Sequence, residues 1–418
     1  MEGQTTIFDM LYPRKKITKP IRLIELFSGY GSQALALKYL GVKFEHWKIC
    51  EWAIKSIQAY KDIHFPNDNE DYGKYFDIDR LIDILYELGI SSNYNEPMKW
   101  EQIARLKEEQ IRTIYNNIQA TNNLVNIQQV KGKDLEINET DKYDYIFTYS
   151  FPCQDLSLAG KGKGMSDTST RSGMLWEVER ILTECENKPQ ILLMENVPQV
   201  HSEDNLEDFN KWKLRLEELG YKNYFKDLIA TDYGIPQTRN RCFMVSLLGD
   251  YSYTFPKPIP LKLKLKDMLE DNVDEKYYLS DKMVKYVLNR TPIGEKDNYA
   301  NNIIGNDAIK SAGTITTMGG NNQGVCVKGI ATNESEEWQK PPLEEMSRTL
   351  LANKSNAGVG LIDTNLRIRK LTPKECFRLM GVKDEDFEKV NQSDSSLYHL
   401  AGDSIVVDVL MAIFKELF

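Results

Sequence analysis

The sequence predicts an α/β fold: an open sheet with helices on its faces, followed by a second, smaller domain. Three observations predict it. Short apolar runs of strand character alternate with helical stretches over residues 21–60 and again over 143–248. Glycines punctuate the first strand-to-helix junction. From about residue 251 the style changes, with Pro256, Pro258 and Pro260 marking a linker and a Gly-, Asn- and Thr-rich stretch after it.

The elements follow in order. Residues 21–27, IRLIELF, form an apolar run of buried-strand character. SGYGSQ and then ALALKYLG read as a loop and a helix ending at Gly41, and VKFEHWKICEW as a second strand ending at Glu51-Trp52. AIKSIQAY is the next helix. Residues 65–130 are polar and Asn-rich and read as an insertion with one helical stretch, on which Trp100, Ile103, Leu106, Ile111, Ile114 and Ile118 recur near helical spacing. Alternation resumes with a strand at 143–148, a helix at 174–186, a strand at 190–194, a helix at 205–219 and a strand at 240–248. The domain boundaries expected are 20–255 for a catalytic and cofactor domain, 256–370 for the second domain, and 371–418 for a segment returning to the first.

Composition sets limits. The 418 residues are 41% hydrophobic and 28% charged, an ordinary globular balance. No stretch approaches ~20 consecutive apolar residues, so no membrane span is expected, and MEGQTTIFDMLYPRKK lacks a signal-peptide apolar core. Cys50, Cys153, Cys185, Cys242, Cys326 and Cys376 are scattered without CxxC spacing, which argues for a reducing compartment and against a disulfide framework or zinc. The net charge of −9 is uneven: residues 251–380 carry 19 Lys/Arg against 16 Asp/Glu. An acidic total therefore leaves room for a local positive face toward nucleic acid.

Chemistry-bearing residues sit at the predicted strand ends. Phe27-Ser28-Gly29-Tyr30-Gly31 hands a strand to a helix, where glycines allow close backbone approach to a ligand. Glu51 ends the next strand and suits ribose hydroxyls; Trp52 suits an adenine face. A third glycine of GxGxxG is missing, which favours a nucleoside cofactor without pyrophosphate, such as S-adenosylmethionine; a plain strand-to-helix turn is the alternative. Cys153 follows Pro152 at the end of the 143–148 strand and precedes Gly160, Lys161, Gly162, Lys163, Gly164 and Arg171, a basic glycine-rich loop suited to closing over a polyanion. Glu195 ends the next apolar strand, where an acid can hydrogen-bond or protonate a ring nitrogen. Arg239 and Arg241 are two apart at a strand start and are expected to share a face. Taken singly, each has an ordinary alternative: a buried thiol, a solvated acid, surface arginines.

Together these stretches resemble the C5-cytosine DNA methyltransferases. FSGYG, EW, SFPCQ, ENV, QTRNR, then IRKLTPKECFRLMG (368–381) and AGDS (401–404), stand in that family's order. SFPCQDLSLAGKGKGM followed by TRSGMLWEVER looks especially like phage and mollicute members. The resemblance covers about 20–62, 132–250 and 366–418. It implies a Rossmann-like mixed sheet that binds S-adenosylmethionine, with a target-recognition domain for double-stranded DNA. It implies a catalytic set of Cys153, Gln154, Glu195, Arg239 and Arg241, with Arg239 ordering the catalytic loop and phosphates. It implies a cofactor pocket of Phe27, Gly29, Gly31, Glu51, Trp52, Asp134, Leu135, Pro152 and Ser404. No metal is implied, the chain is expected as a cytoplasmic monomer of a bacterial or phage-infected cell, and a cognate restriction endonuclease is a candidate partner.

Two departures stand out. Asp403 replaces the asparagine usual before the serine and adds negative charge near the expected methionine carboxylate, and the insertion 65–130 is absent from compact members. Three rivals follow: a tRNA-methylating relative with the same Cys and Glu, a catalytically impaired DNA binder, and a Rossmann dehydrogenase. The sizeable region 251–365 favours duplex readout, and residues 262–365 should carry the specificity, with Asn321, Asn322, Gln323, Arg348 and Lys354 as candidates by residue type only.

Overall fold

The computed structural model describes residues 13–152, 173–280, 303–305, 360–362 and 368–418. The chain divides into two units, one of residues 1–228, 241–256 and 410–418, the other of 229–240 and 257–409.

The first unit is built on the sheet. Strand β1 (Ile21–Leu26) is buried at all six positions. It is followed by α1 (Ser32–Tyr39), β2 (Phe44–Cys50) and α2 (Ile54–His64). Next come β3 (Asp144–Tyr149), α6 (Met174–Glu184), β4 (Ile191–Asn196), α7 (Leu206–Glu218), β5 (Tyr221–Ile229) and β6 (Asn240–Leu248); α3 to α5 belong to the insertion. The strand order is β2-β1-β3-β4-β6-β5, with β6 antiparallel to β4 and β2, β1, β3 and β4 mutually parallel. The open α/β sheet expected from the alternation is therefore present, and it is mixed, as the family resemblance implied. The chain steps from β1 to β2 on one side and later to β3 on the other, so the carboxyl ends of β1 and β3 border a topological switch point, the usual ligand edge of such sheets. Because β6 runs the opposite way, its amino end reaches that same edge, opposite the carboxyl end of β4: Asn196 pairs with Cys242.

One core cluster joins the β3 and β4 side chains to α6 and α7. Trp212 is fully buried, meets the Tyr149 ring edge-on at 5.9 Å and donates from Nε1 to Tyr149 Oη at 3.2 Å. Strand β5 has no counterpart among the predicted elements. It lies at the sheet edge and its burial pattern, BiiieeiBi, lacks the alternation that marks a half-buried strand.

The insertion carries three helices where one was expected: α3 (Ile78–Leu88), α4 (Trp100–Ile103) and α5 (Glu108–Ala120). Helix α3 has clear end signals, an Asp77 side chain accepting from Arg80 N–H and a left-handed Gly89 closing it. With Ile57 of α2 these helices form a second apolar cluster around Leu81, Leu85, Ile111 and Ile118.

In the second unit, β7 (Ile303–Gly305), β8 (Gly360–Ile362) and β9 (Ile368–Arg369) form a three-stranded sheet. Helices α8 (Pro373–Leu379), α9 (Asp384–Phe387) and α10 (Asp394–Asp403) follow, and α11 (Val407–Lys415) ends the described elements. Thr372 caps α8 with a capping box to Glu375, and Glu375 is also the buried partner of Arg369 at 2.7 Å. The stretch Asp394–Lys415 is long and apolar enough to cross a membrane by composition, yet 67% of its apolar 18-residue window is buried within the protein.

Candidate active site

Strands β1 and β2 release their loops side by side: Phe27 N–H donates to Cys50 O at 2.8 Å. Phe27 adopts φ 56, a left-handed value uncommon for a bulky residue and of the kind held at ligand sites. A Cβ on Gly31 would lie 2.4 Å from His64 Nε2 and 2.6 Å from the Tyr60 ring, so only glycine fits. Gly29, at φ 55, faces open space on its Cβ side, with nothing within 4 Å. Just ahead of Gly29, Ser28 Oγ is buried and has no hydrogen-bond partner among the described residues. Glu51 is 9% exposed and held by main chain, Oε2 accepting from Gly29 N–H at 3.0 Å and Oε1 from Ala53 N–H at 2.8 Å. An anchored acid, an open glycine face and an unanswered hydroxyl at one sheet edge fit a nucleoside with its hydroxyls on Glu51. Ser28 was not among the residues expected there.

The insertion holds this end. Asn123 Nδ2 donates to Glu51 O at 2.9 Å and its Oδ1 accepts from Glu51 N–H at 3.0 Å. Ser91 N–H donates to Trp52 O at 2.7 Å, and Ile54 N–H to Ser91 O at 2.9 Å. Half-buried Trp52 leans on the insertion's apolar cluster. Leu124 N–H donates to Ile49 O at 2.8 Å, so the insertion also covers the exposed edge of β2.

Beneath the glycine loop, Glu25 is fully buried, accepting from Ala34 N–H (3.2 Å) and Tyr60 Oη–H (2.5 Å). Burial lifts its carboxyl to about 7 against the lowering effect of these bonds. Tyr60 Oη also lies 2.8 Å from His46 Nδ1, and burial lowers His46 to about 4, so the ring is neutral near pH 7.

The reactive end is assembled from three strand ends. Glu195 on β4 is 5% exposed; its Oε1 is 3.1 Å from Arg241 Nε on β6, and its Oε2 accepts from Ser150 Oγ at 2.6 Å just beyond β3. Asn196 Nδ2 donates to Phe151 O at 3.0 Å and fixes the segment that leads to Pro152. Cys153 and Gln154 lie outside the described residues, as do the glycine- and lysine-rich loop with Arg171 and the candidates Asn321, Asn322, Gln323, Arg348 and Lys354. The four described cysteines, Cys50, Cys185, Cys242 and Cys376, are all buried, and burial pushes each thiol up, Cys185 to about 11.

The remaining expected residues separate. Arg239 and Arg241 take different partners: Arg239 precedes β6, which begins at Asn240, while Arg241 lies within it and meets Glu195. Arg239, 4% exposed, donates through Nη2 to Gly402 O at 3.0 Å and Ser404 O at 2.8 Å, a main-chain clamp within the second unit. Gln237 beside it is buried and donates to Leu379 O at 2.6 Å. Ser404 Oγ donates to Ala401 O at 2.9 Å, and Asp403, about half exposed, pairs with His399 Nδ1 at 2.8 Å. Asp134 in the 3₁₀ turn Gly132–Leu135 accepts from Lys131 N–H at 2.8 Å; Leu135 is fully buried and its carbonyl accepts from Trp47 Nε1 at 2.9 Å. The structure also joins three residues that sequence spacing did not connect: His201, Asp227 and Cys242 bring their ligand atoms within 4.8 Å of one another.

A family model described as C-5 cytosine-specific DNA methylase matches residues 100–418. The chain belongs to this family. Type II methyltransferase M2.ScrFI of Lactococcus lactis subsp. cremoris is 34% identical over 409 residues, spanning 95% of this chain and 99% of that protein. Orphan methyltransferase M.SssI of Spiroplasma monobiae is 32% identical over 408 residues, spanning 96% and 98%. A solved DNMT2 mutant of Spodoptera frugiperda shares the fold with a TM-score of 0.60 at 19% identity, covering 95% of this chain and 99% of its own. The protein is thus a DNA cytosine-5-methyltransferase.

Proposed function

We propose that this methylase transfers a methyl group from S-adenosylmethionine to C5 of a cytosine flipped out of a short specific sequence in double-stranded DNA, through a covalent bond from Cys153 to C6. The observation that carries the reading is the Ser150–Glu195–Arg241 constellation, held at the sheet edge two residues ahead of Pro152-Cys153.

Cytosine C5 is a weak nucleophile, so the ring must first be activated. The Cys153 thiolate adds to C6 while Glu195 supplies a proton at N3, and C5 gains enamine character. The bound cofactor supplies an electrophilic sulfonium methyl. Once C5 has taken the methyl, N3 returns its proton to Glu195, the C5 proton leaves to a base and the C6–S bond breaks, returning the electron pair to sulfur. Arg241 fixes one Glu195 oxygen and contacts the base carbonyl; Ser150 fixes the other. A hydroxyl suits that position because it donates to the carboxylate and accepts from the acid, following the proton as it moves. Access to both ring faces requires the base to leave the stack.

Glu51 receives the ribose hydroxyls, Ser28 and Gly29 line the nucleoside, Trp52 stacks on adenine, Asp134 meets its exocyclic amine, and Ser404 serves the methionine end. Arg239 acts as a positioning residue for the 402–404 turn. Residues 256–370 read the sequence, the enzyme works as a monomer in the cytoplasm of a bacterial or phage-infected cell, and a cognate endonuclease is a candidate partner.

Expression in a methylation-free host, followed by base-resolution sequencing for 5-methylcytosine, tests the reading. Methylation in one short context, lost in Cys153→Ser, is expected. Soluble protein that methylates tRNA and leaves DNA unmodified would overturn it.

A further inference from the structure

His201, Asp227 and Cys242 come from three separate segments: a 3₁₀ turn (Pro198–His201), the edge strand β5 and the inner strand β6. His201 Nε2 and Asp227 Oδ1 are 2.9 Å apart, and the Cys242 thiol hydrogen-bonds Asp227. All three donor atoms lie within 4.8 Å of one another. We propose that these residues form a binding site for one thiophilic divalent transition-metal ion of the zinc class.

The donor set carries the argument. One imidazole, one carboxylate and one thiol supply the three ligand types that zinc accepts, and three protein ligands leave a fourth position for water. Zinc bonds of about 2.0–2.3 Å arranged tetrahedrally need donor separations of roughly 3.3–3.8 Å, so the widest spacing has to close by at most about 1 Å and the 2.9 Å His201–Asp227 spacing has to open by about 0.4 Å. The elements allow this. Cys242 is anchored, fully buried on a strand paired on both sides, whereas Asp227 sits on the edge strand and His201 on a short turn. The His201 and Asp227 side chains are 29% and 32% exposed, so the ion can enter from solvent and keep its water. The Cys242 proton leaves to solvent as the metal–sulfur bond forms.

The position gives the site a role. Cys242 pairs with Asn196, and Glu195 with Phe243, so cross-strand alternation puts Cys242 on the opposite sheet face from the Glu195–Arg241 pair. A bound ion would not touch that pair. It would tie the turn that follows Glu195-Asn196-Val197 to β5 and β6, stiffening the backbone that carries Glu195 and Arg241. The proposal stands apart from the assignment of the nucleophile.

Cobalt(II) is the probe. The full-length protein, stripped with chelator, is titrated with Co²⁺ and followed by thiolate-to-cobalt charge-transfer absorption and by Tm. One equivalent of Co²⁺, displaced by Zn²⁺, with a raised Tm is expected in wild type and in Cys153→Ser, which removes the other thiol of the catalytic region. Loss of a partner outside the ligand set costs about 10–100-fold in metal affinity, so losing a ligand is expected to cost at least about tenfold in His201→Gln and Cys242→Val. His201→Gln changes a half-exposed residue and keeps the test valid if Cys242→Val folds poorly; Tm in chelator reports folding of both. No charge-transfer band in wild type, or a band that forms in His201→Gln with unchanged Co²⁺ affinity, would mean a plain hydrogen-bonded trio and overturn the proposal.

Discussion

The two ends of the ligand edge are built differently. At the cofactor end, main chain does the holding: Glu51 is gripped by the amides of Gly29 and Ala53, and its own peptide by Asn123. At the reactive end, side chains hold side chains: Glu195 is fixed by Arg241 and Ser150. On the proposed reading, the difference follows from what each end has to do. A nucleoside needs a rigid cradle, which backbone amides and a covering insertion provide. A proton-transferring carboxyl needs partners whose hydrogen bonds can rearrange when it changes charge, which a hydroxyl does and an amide does not.

Four substitutions break or sharpen that contrast, in order of expected effect. Glu195→Gln keeps the shape of the reactive end and removes its proton chemistry; single-turnover methyl transfer should fall by about 10²–10⁴-fold with Tm nearly unchanged. Glu25→Gln acts under the cofactor loop. Folding raises this carboxyl from 4.5 to about 7, so its contribution to stability is full below about pH 4.5 and is lost as pH rises through about 7. Glutamine should therefore flatten the stability profile over that window, by on the order of 3 kcal/mol, with the variant the more stable form at pH 8; urea unfolding at pH 5 and pH 8 measures it. Asn123→Ala leaves the Glu51 peptide partly unsatisfied and should cost about 1–3 kcal/mol in stability. In steady-state kinetics it should raise the KM for the methyl donor more than it lowers kcat. Ser150→Ala should do the reverse at smaller scale, lowering kcat roughly 5–10-fold, the net worth of one ordinary hydrogen bond, with donor KM unchanged. If Asn123→Ala and Ser150→Ala shift the same parameter, the two ends do not act separately.

The contrast also explains what the sequence could reveal. Glycines after an apolar strand, an acid at the next strand end and Glu195 at a third are local patterns, and each falls on the predicted edge. Asn123 and Ser150 were invisible because their roles depend on partners 72 and 45 positions away. Ser28 is a one-residue neighbour of the expected glycines, and only its buried, unanswered hydroxyl marks it. Helix α3 did carry signals, Asp77 before Leu81, Ile82 and Leu85 with Gly89 after them, but the acidic and basic residues on its outer face made the segment read as polar. The arginine pair was legible as chemistry, whereas the partner each takes was not: Arg239 holds the carbonyls of Gly402 and Ser404, and Arg241 the Glu195 carboxylate. The His201–Asp227–Cys242 trio has no spacing signature because three non-consecutive segments build it.

The central claim is that Cys153 attacks a base activated at Glu195. A duplex bearing 5-fluorocytosine in the target context tests it most directly, because fluorine at C5 cannot leave as a proton and the C6–sulfur bond persists. With S-adenosylmethionine present, wild type should form a denaturation-resistant complex with the duplex, and Cys153→Ser should form none. A complex that survives in Cys153→Ser, or none in a wild-type enzyme that methylates ordinary cytosine, would contradict the account.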